Sequence, residues 1–437
     1  MKRTMQTAIA GLLAASLSLS GSTLAMAENQ TGDDGSGYQC EVSAHHPNPV
    51  SSDDLGSRRA LRSDNALSDS FRTGFKHFSM KTTAAVLTDG QENKNFSPVS
   101  LYYALSLAAQ GSEGATKEQL MTLLGAQDQT PGQLADGCGR MYRQMYQADE
   151  HSRLKLANSL WLQNGLPLLD GYRRAAENQF YASVFRVNFA DERTGGIIGS
   201  WISSQTDQSI TPTIKVYDDE VMRIVNTVSY HSEWIQDFKK ENNTEGTFRL
   251  ADGQQTVCTY MTDTRSCSYY RGQGYLRAAL NLKGNGTMFF ILPDEGTDIP
   301  SLLSSEETMQ QMFGSVSAFD SYGRISWKIP KFRIASSMEL KPVLKSLGIT
   351  DGFDRETADF SGITSEPLYM HDVIQETVVG IDENGVEASA YTMVPMGAGS
   401  SMAADTIEMT LDRPFLYAIV TDPGVPLFIG VCYNPAG

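Results

Sequence analysis

The sequence predicts a globular protein that mixes α-helices and β-strands, and three observations lead to this fold class. Phe71, Phe75 and Phe78 recur at helical spacing. The apolar run that begins at Met222 is nearly continuous, which is typical of a strand buried on both faces. From Val386 onward every second residue is small or apolar, which is the period of a strand with one face in a core. Helices and strands are therefore both expected in this chain.

The composition is that of a large acidic protein. The chain has 437 residues, of which 41% are hydrophobic and 20% charged, so it can bury a sizeable core. Length alone favours about two or three domains. The net charge of −16 argues against nucleic acid or an anionic membrane as a partner.

Residues 1–27 have the features of a secretory signal peptide. A basic start is followed by an apolar run and by Ala25-Met26-Ala27, a small-x-small cleavage site. A membrane anchor is the weaker alternative, because the run is shorter than the roughly 20 residues that span a bilayer. We therefore expect a secreted, extracellular protein, either free or attached to the cell surface.

Residues 28–65 are predicted to form a disordered or tethering arm. They are rich in Gly, Ser, Asp, Pro and Asn and have no apolar period. Order is expected to begin near Leu67, so that residues 66–437 form the folded domain.

Residues 95–125 predict two consecutive helices. Ser97 is a suitable N-cap, and Pro98 fits the first turn of a helix. Gly111 and Gly114 then separate this helix from a second one. Residues 157–169 predict a strand, followed by a turn into a further helix.

The five cysteines do not indicate a metal or redox site, because no CxxC pair occurs. An odd number in a secreted protein leaves at least one thiol without a partner in the chain. Cys258 and Cys267 are close enough in sequence to close a hairpin, which leaves a disulfide there as one alternative.

No enzyme motif is present. The chain has six histidines, but it has no GxSxG motif that would place a nucleophilic serine beside one of them. There is also no HExxH, P-loop or dinucleotide-binding motif. A pair of carboxylates of the glycosidase kind is an alternative without support in the sequence. We expect that the protein is not an enzyme.

Residues 380–415 form the most unusual segment. The alternation that begins at Val386 continues to Met396, and then runs into MGAGSSMAAD, a stretch that a packed strand would not contain. The segment is thus able to form a strand, but is expected to be held as a loop with a protease-accessible tip.

Eight motifs in chain order resemble the serpin family. The sequence IDENGVEASA, followed by TLDRPFLYAIV and PLFIGVCYNP, is similar to the family's hinge, C-terminal signature and last strand. Upstream, FSPVS, the helix ending in SWISS, the strand carrying Asn226, Trp234 and Phe238, and the segments MFFILPDEG and LKPVLKSLGITDGFDRETADFSGIT also match. The resemblance covers residues 67–435, and we identify the chain as a secreted, bacterial-type member.

The resemblance implies one α+β domain with three β-sheets, about nine helices and an exposed reactive-centre loop near the C-terminus. It implies a suicide inhibitor of serine proteases that works as a monomer without cofactor or metal. In this mechanism the protease forms an acyl-enzyme with the loop, and the cleaved loop then inserts into the main sheet and traps the protease. The alternative is a non-inhibitory serpin that acts as a binding protein or as a protease substrate.

The resemblance also assigns roles to individual residues. Those matching the hinge of the reactive loop are Glu383, Gly385, Val386, Glu387, Ala388, Ser389 and Ala390. Those matching the cluster that lets the sheet open are Ser97, Ser100, Asn226, Trp234 and Gln375. The family usually places a His at the position of Gln375, and an amide can likewise donate and accept hydrogen bonds.

Three further departures concern the loop. Tyr391 is large in a run of small residues. Pro395 removes a ladder N–H from what would become a central strand, which puts complete insertion beyond it in question. The loop is also a few residues longer than in common members.

The scissile bond is expected sixteen residues after Glu383, between Gly399 and Ser400, within a range that extends from Ala398 to Ala403. The tip, residues 397–404, contains no Arg, Lys or aromatic residue. The acidic specificity pocket of a trypsin-like protease would find no basic side chain there. Elastase-like or subtilisin-like proteases are therefore the expected targets.

Overall fold

The computed structural model describes residues 37–51, 54–316, 320–386, 406–421 and 424–437. The predicted signal peptide lies outside these ranges. Within them the chain forms ten α-helices, namely α1 Leu55–Asp64, α2 Asp69–Leu87, α3 Pro98–Ala109, α4 Gly114–Leu123, α5 Pro131–Met145, α6 Asp170–Gln179, α7 Thr194–Gln205, α8 Ile299–Leu302, α9 Glu306–Phe313 and α10 Lys341–Ser346. No helix of this described part is both long and apolar enough to cross a membrane.

The same ranges contain seventeen strands. They are β1 Tyr38–Val42, β2 Lys94–Phe96, β3 Gln147–Ala148, β4 Ser152–Gln163, β5 Ala182–Val187, β6 Met222–Glu233, β7 Thr244–Arg249, β8 Gln255–Gly272, β9 Tyr275–Asn281, β10 Gly286–Pro293, β11 Ser321–Pro330, β12 Phe332–Glu339, β13 Ile374–Ile381, β14 Gly385–Val386, β15 Ile407–Thr410, β16 Phe415–Thr421 and β17 Val425–Cys432.

The strands form two hydrogen-bonded sheets. Sheet A has eight strands in the order β1-β5-β4-β6-β14-β13-β12, with β3 attached to β4. Sheet B has nine strands in the order β15-β11-β8-β9-β10-β16-β17-β2, with β7 attached to β8. The third sheet of the prediction does not stand apart among the described residues, because the long strand β8 pairs with β7 and β11 along most of its length and with β9 at its end. The mixed α+β fold class is confirmed.

Sheet A is covered on both faces, which explains why its central strands are so apolar. The main core includes Leu101 and Leu105 of α3 and the inward residues of β4 and β6. On the opposite face α7 packs Ile198 and Ile202 against a second apolar cluster that includes Trp161. The predicted N-cap of α3 is observed, since the Ser97 side chain accepts from the Ser100 N–H.

Two segments of the predicted disordered or tethering arm are ordered. Strand β1 pairs antiparallel with β5 and extends sheet A at one edge. Further along, the His46 ring stacks on Tyr146 at 5.6 Å, and helix α1 begins after the N-cap Asp54. These partners lie far away in sequence, so the composition of the arm could not reveal them.

The hairpin disulfide alternative is also wrong. Cys258 and Cys267 lie in the same extended strand, β8, and are free. Nine residues of extended strand separate them by about 30 Å, whereas a disulfide needs Cα atoms within about 7 Å.

Candidate functional site

The start of the predicted hinge is already a strand of sheet A. Val386 pairs with Ser232 of β6 on one side and with Ile381 of β13 on the other. Its side chain is only 1% exposed. Gly385 faces the backbone of β6, where a Cβ atom would come within 2.1 Å of the Ser232 carbonyl oxygen. Only glycine fits this close approach.

The turn before β14 is held by Trp234, which lies at the end of β6. The indole Nε1–H donates to the carbonyl of Asp382 at 2.9 Å, and the Trp234 N–H donates to the carbonyl of Asn384 at 2.8 Å. Inside the turn the Asp382 carboxylate accepts from the N–H groups of Asn384 and Gly385. The indole is buried and therefore fixes the place where the chain enters the sheet.

Glu383 is a buried carboxylate in this turn. Lys331 donates to both of its oxygens, at 3.0 and 3.2 Å, and the Asn243 amide donates to Oε1. Burial alone would raise the pKa of Glu383. The hydrogen bonds from Asn243, the backbone and Lys331 outweigh that effect and hold the pKa below its usual range. The carboxylate is therefore charged and paired in the folded protein.

An open slot continues below Val386. In the described part of the chain β6 and β13 share no ladder hydrogen bonds with each other, and β14 separates them only at the top. A cavity of about 100 Å³ lies here, lined by Ile224 and Asn226 of β6 and by Gln375 of β13. Helix α3 contributes Ser100 from one face of the sheet and α7 contributes Ile202 from the other. A further strand could pair with both β6 and β13 here once the two strands move apart.

Four of the five residues predicted to control sheet opening meet beside this slot. Gln375 accepts from the Ser97 N–H at 2.8 Å and donates to the Ser97 carbonyl at 2.9 Å. Ser100 donates to the Asn226 side chain, which in turn donates to Asn158. Trp234, the fifth residue, is not in this cluster, since it lies at the end of β6 beside the hinge turn.

Several partners in this region were missed by sequence reasoning. Asn158 of β4 continues the cluster, and Thr377 donates to the Asn95 carbonyl at 2.7 Å on the same side of the sheet. Lys331 and Asn243 were also missed as partners of Glu383. No local pattern marks these residues, because each acts through a partner distant in the chain.

The other predicted loop residues, Glu387, Ala388, Ser389, Ala390, Gly399 and Ser400, lie outside the described residues. The chain is described again from Thr406, and β15 joins sheet B by parallel pairing with β11. One end of the loop is therefore anchored in sheet A and the other end in sheet B. No group of three or more His, Cys, Asp or Glu residues that could hold a metal ion occurs among the described residues.

Comparison with known proteins identifies the family. The model of the family described as "Serpin (serine protease inhibitor)" matches residues 73–435. The chain belongs to the serpin family. Its members are in general protease inhibitors rather than enzymes.

Relatives of this serpin include proteins that are named for protease inhibition. It is 29% identical over 355 residues to "Alpha-1-antitrypsin 1-4" of Mus musculus, with 78% of this chain and 83% of the relative covered. It is 25% identical over 366 residues to "Serine protease inhibitor" of Cyanea capillata, covering 81% and 95%. These sequence relatives do not support the predicted bacterial-type assignment.

Solved serpin structures share the fold. Native tengpin, a thermophilic serpin, superposes with a TM-score of 0.77 at 24% identity, covering 90% of this chain and 100% of tengpin. Thyroxine-binding globulin in complex with thyroxine superposes with a TM-score of 0.73 at 21% identity, covering 84% and 99%. The architecture is therefore shared with a thermophilic serpin and with a thyroxine-binding protein alike.

Proposed function

We propose that this serpin is a secreted, monomeric suicide inhibitor of serine proteases of the elastase-like or subtilisin-like class. The observation that carries the proposal is the position of β14. Gly385 and Val386 already occupy the top of sheet A between β6 and β13, above the slot that the rest of the loop would enter as these two strands part.

The proposed reaction is an interrupted proteolysis. The protease serine Oγ attacks the Gly399 carbonyl carbon, the peptide bond breaks, and the Ser400 nitrogen leaves as a new amino terminus after taking up a proton. Gly399 is then held in an ester bond to the protease. Insertion of the loop draws the protease along the sheet, and distortion of its oxyanion hole stops water from hydrolysing the ester.

The register of β14 supports insertion by the residues that follow. Continuing the pairing one residue at a time brings Ala388 level with Tyr230 and Val379, on the same face as Val386. Both flanking side chains are buried. A small uncharged residue fits such a position, whereas a charged one would lose its hydration without gaining a partner.

The same register suits the polar cluster. Thr392 would arrive level with Asn226 and Gln375, the two residues of the cluster that lie on the flanking strands. Its hydroxyl can both donate and accept there, so the two amides need not be left without partners. Pro395 falls on the opposite face of the strand and would leave one ladder position without a donor.

The alternative is that this serpin is a binding protein without inhibitory activity, because the same fold occurs in thyroxine-binding globulin. It would require the loop to stay out of the sheet. The inward positions Val386, Ala388 and Ala390 carry no charge and no large side chain, so they favour insertion and hence inhibition.

Incubation with an elastase, with subtilisin and with trypsin tests the proposal. We expect a covalent complex with the first two that survives boiling in denaturant, and none with a protease whose catalytic serine has been blocked. Mass spectrometry of the released C-terminal fragment is expected to show Ser400 at its amino terminus. Simple turnover by every protease that cuts the loop would favour the binding-protein alternative. A new terminus outside residues 398–403, or trapping of trypsin at the tip, would overturn the assigned site.

A further inference from the structure

Four side chains tie together the lower ends of the two strands that border the slot. Tyr217 and Asp219 precede β6, and Tyr369 and His371 precede β13; we call these four residues the clasp. The Tyr369 hydroxyl donates to Asp219 Oδ2 at 3.0 Å. The rings of Tyr217 and His371 stack with centroids 4.9 Å apart and an interplanar angle of 6°.

The pair of Asp219 and His371 is only partly engaged. His371 Nε2 lies 3.5 Å from Asp219 Oδ1, within ion-pair range, but this buried nitrogen makes no hydrogen bond to any described residue. The His371 side chain is 17% exposed and that of Asp219 is 50% exposed. A proton on Nε2 would point toward a carboxylate that already stands beside it.

The surroundings of His371 contain other charged and titratable groups. Tyr369 lies beside the ring, Arg355 approaches Asp219 at 3.8 Å, and Lys341 of α10 donates to the His371 carbonyl at 2.7 Å. Lys215 lies over the Tyr217 ring, and the buried carboxylate of Glu220 pairs with the partly exposed Arg223 at the start of β6. Among these groups Asp219 is the carboxylate paired with His371. The Tyr369 hydrogen bond, with His371 and Arg355, holds the pKa of Asp219 below its usual range.

The clasp stands where an inserted strand would end. His371 itself lines the lower part of the slot. Continuing the register of Gly385 with Glu233 to Met222, the first residue of β6, brings Met396 level with it, and the clasp lies immediately beyond this end of the strand. A strand could not extend past this end while the two sides of the clasp remain joined.

We propose that the clasp closes the lower end of sheet A and that protonation of His371 tightens it. This regulatory role rests on the proposed function, because only a serpin that inserts its loop needs sheet A to open. Protonation gives the imidazole a positive charge. The added attraction between the imidazolium and the Asp219 carboxylate makes opening less favourable in acid.

Amide hydrogen exchange on the intact, uncleaved protein tests the proposal without a protease. The amides of interest are those of the lower half of β6 and of residues 371–376. Relative to the wild type at about pH 5.5, we expect His371→Gln and Asp219→Asn to speed exchange there about two- to fivefold, the effect of a partly exposed ion pair. Correction for intrinsic exchange should leave a pH dependence in the wild type that His371→Gln lacks.

A matched control and a milder variant keep the test decisive. His77 pairs with Glu306 at 2.9 Å on the surface between α2 and α9, so His77→Gln removes a comparable pair elsewhere and should leave exchange in sheet A unchanged. Tyr369→Phe keeps the ring and removes only the hydrogen bond, and should also speed exchange. Wild-type exchange in all three clasp variants, or an equal change in His77→Gln, would overturn the clasp.

The two proposals fail separately. If the protein traps no protease but shows the predicted exchange, the clasp proposal stands and the inhibitory function is refuted. If the protein traps proteases while its clasp variants exchange like the wild type, the inhibitory function stands and the clasp proposal is refuted.

Discussion

Lys331 Nζ lies 3.0 Å from Glu383 Oε1, and this contact ties the turn before β14 to the junction of β11 and β12. The carboxylate is buried and the ammonium is partly exposed. The base of the loop is therefore held by a charged pair at the point where β14 enters sheet A.

Reversing the charge of Glu383 is expected to loosen this entry point. In Glu383→Lys the new ammonium would face Lys331 in a buried position, and Asn243 would lose its acceptor. We expect a loss of about 2 kcal/mol or more in the free energy of unfolding, because a buried charge is left unpaired. The control Glu295→Lys alters a carboxylate that is 70% exposed and should cost far less. Equal losses from both, measured by urea unfolding, would contradict the role given to Glu383.

Acid should weaken the same contact. Because the pKa of folded Glu383 is held below its ordinary value of about 4.3, its contribution to stability is fully present above that pH. The contribution is lost as the pH falls further toward the folded pKa. Melting temperatures recorded from neutral pH to about pH 3 should therefore show a fall in the wild type that is smaller in Glu383→Gln. Parallel curves for the two proteins would mean that Glu383 does not titrate in this way.

The two hydrogen bonds between Gln375 and Ser97 predict a rescue experiment. Gln375→Ala leaves a buried N–H and a buried carbonyl of Ser97 without partners and should cost about 1–3 kcal/mol. Gln375→His supplies a ring that can both donate and accept, so it should recover part of this loss. The measurement is the free energy of unfolding in urea. If the histidine variant is no more stable than the alanine variant, histidine does not replace the two hydrogen bonds that Gln375 makes with Ser97.

Val386→Arg should convert an inhibitor into a substrate. The Val386 side chain is 1% exposed between β6 and β13, so an arginine there would have to be buried without a partner or would keep β14 out of the sheet. We expect cleavage by elastase to continue while the boiling-resistant complex disappears. Val257→Arg places the same side chain at a position that is 63% exposed, and should leave complex formation intact. Retained inhibition by Val386→Arg would show that insertion does not pass through this residue.

Much of the fold could be predicted from the chain alone, because its signals are local or periodic. The N-cap at Ser97 and the apolar run of β6 each occupy a few neighbouring residues. The order of the motifs then identified the family. The same reasoning failed for residues 38–42 and 55–64, where a polar composition hid a strand and a helix stabilised by distant partners.

The sequence by itself determined the family and predicted which side chains belong to the hinge and to the polar cluster, since these residues match the family's motifs. Only the tertiary structure decided what they contact. Ser97 and Gln375 are 278 residues apart, and Asn243 and Glu383 are 140 apart. The open slot and the clasp at its lower end are likewise products of strand order. Each depends on segments brought together from distant parts of the chain by burial of apolar side chains and by backbone pairing, and no local pattern encodes which segments will meet.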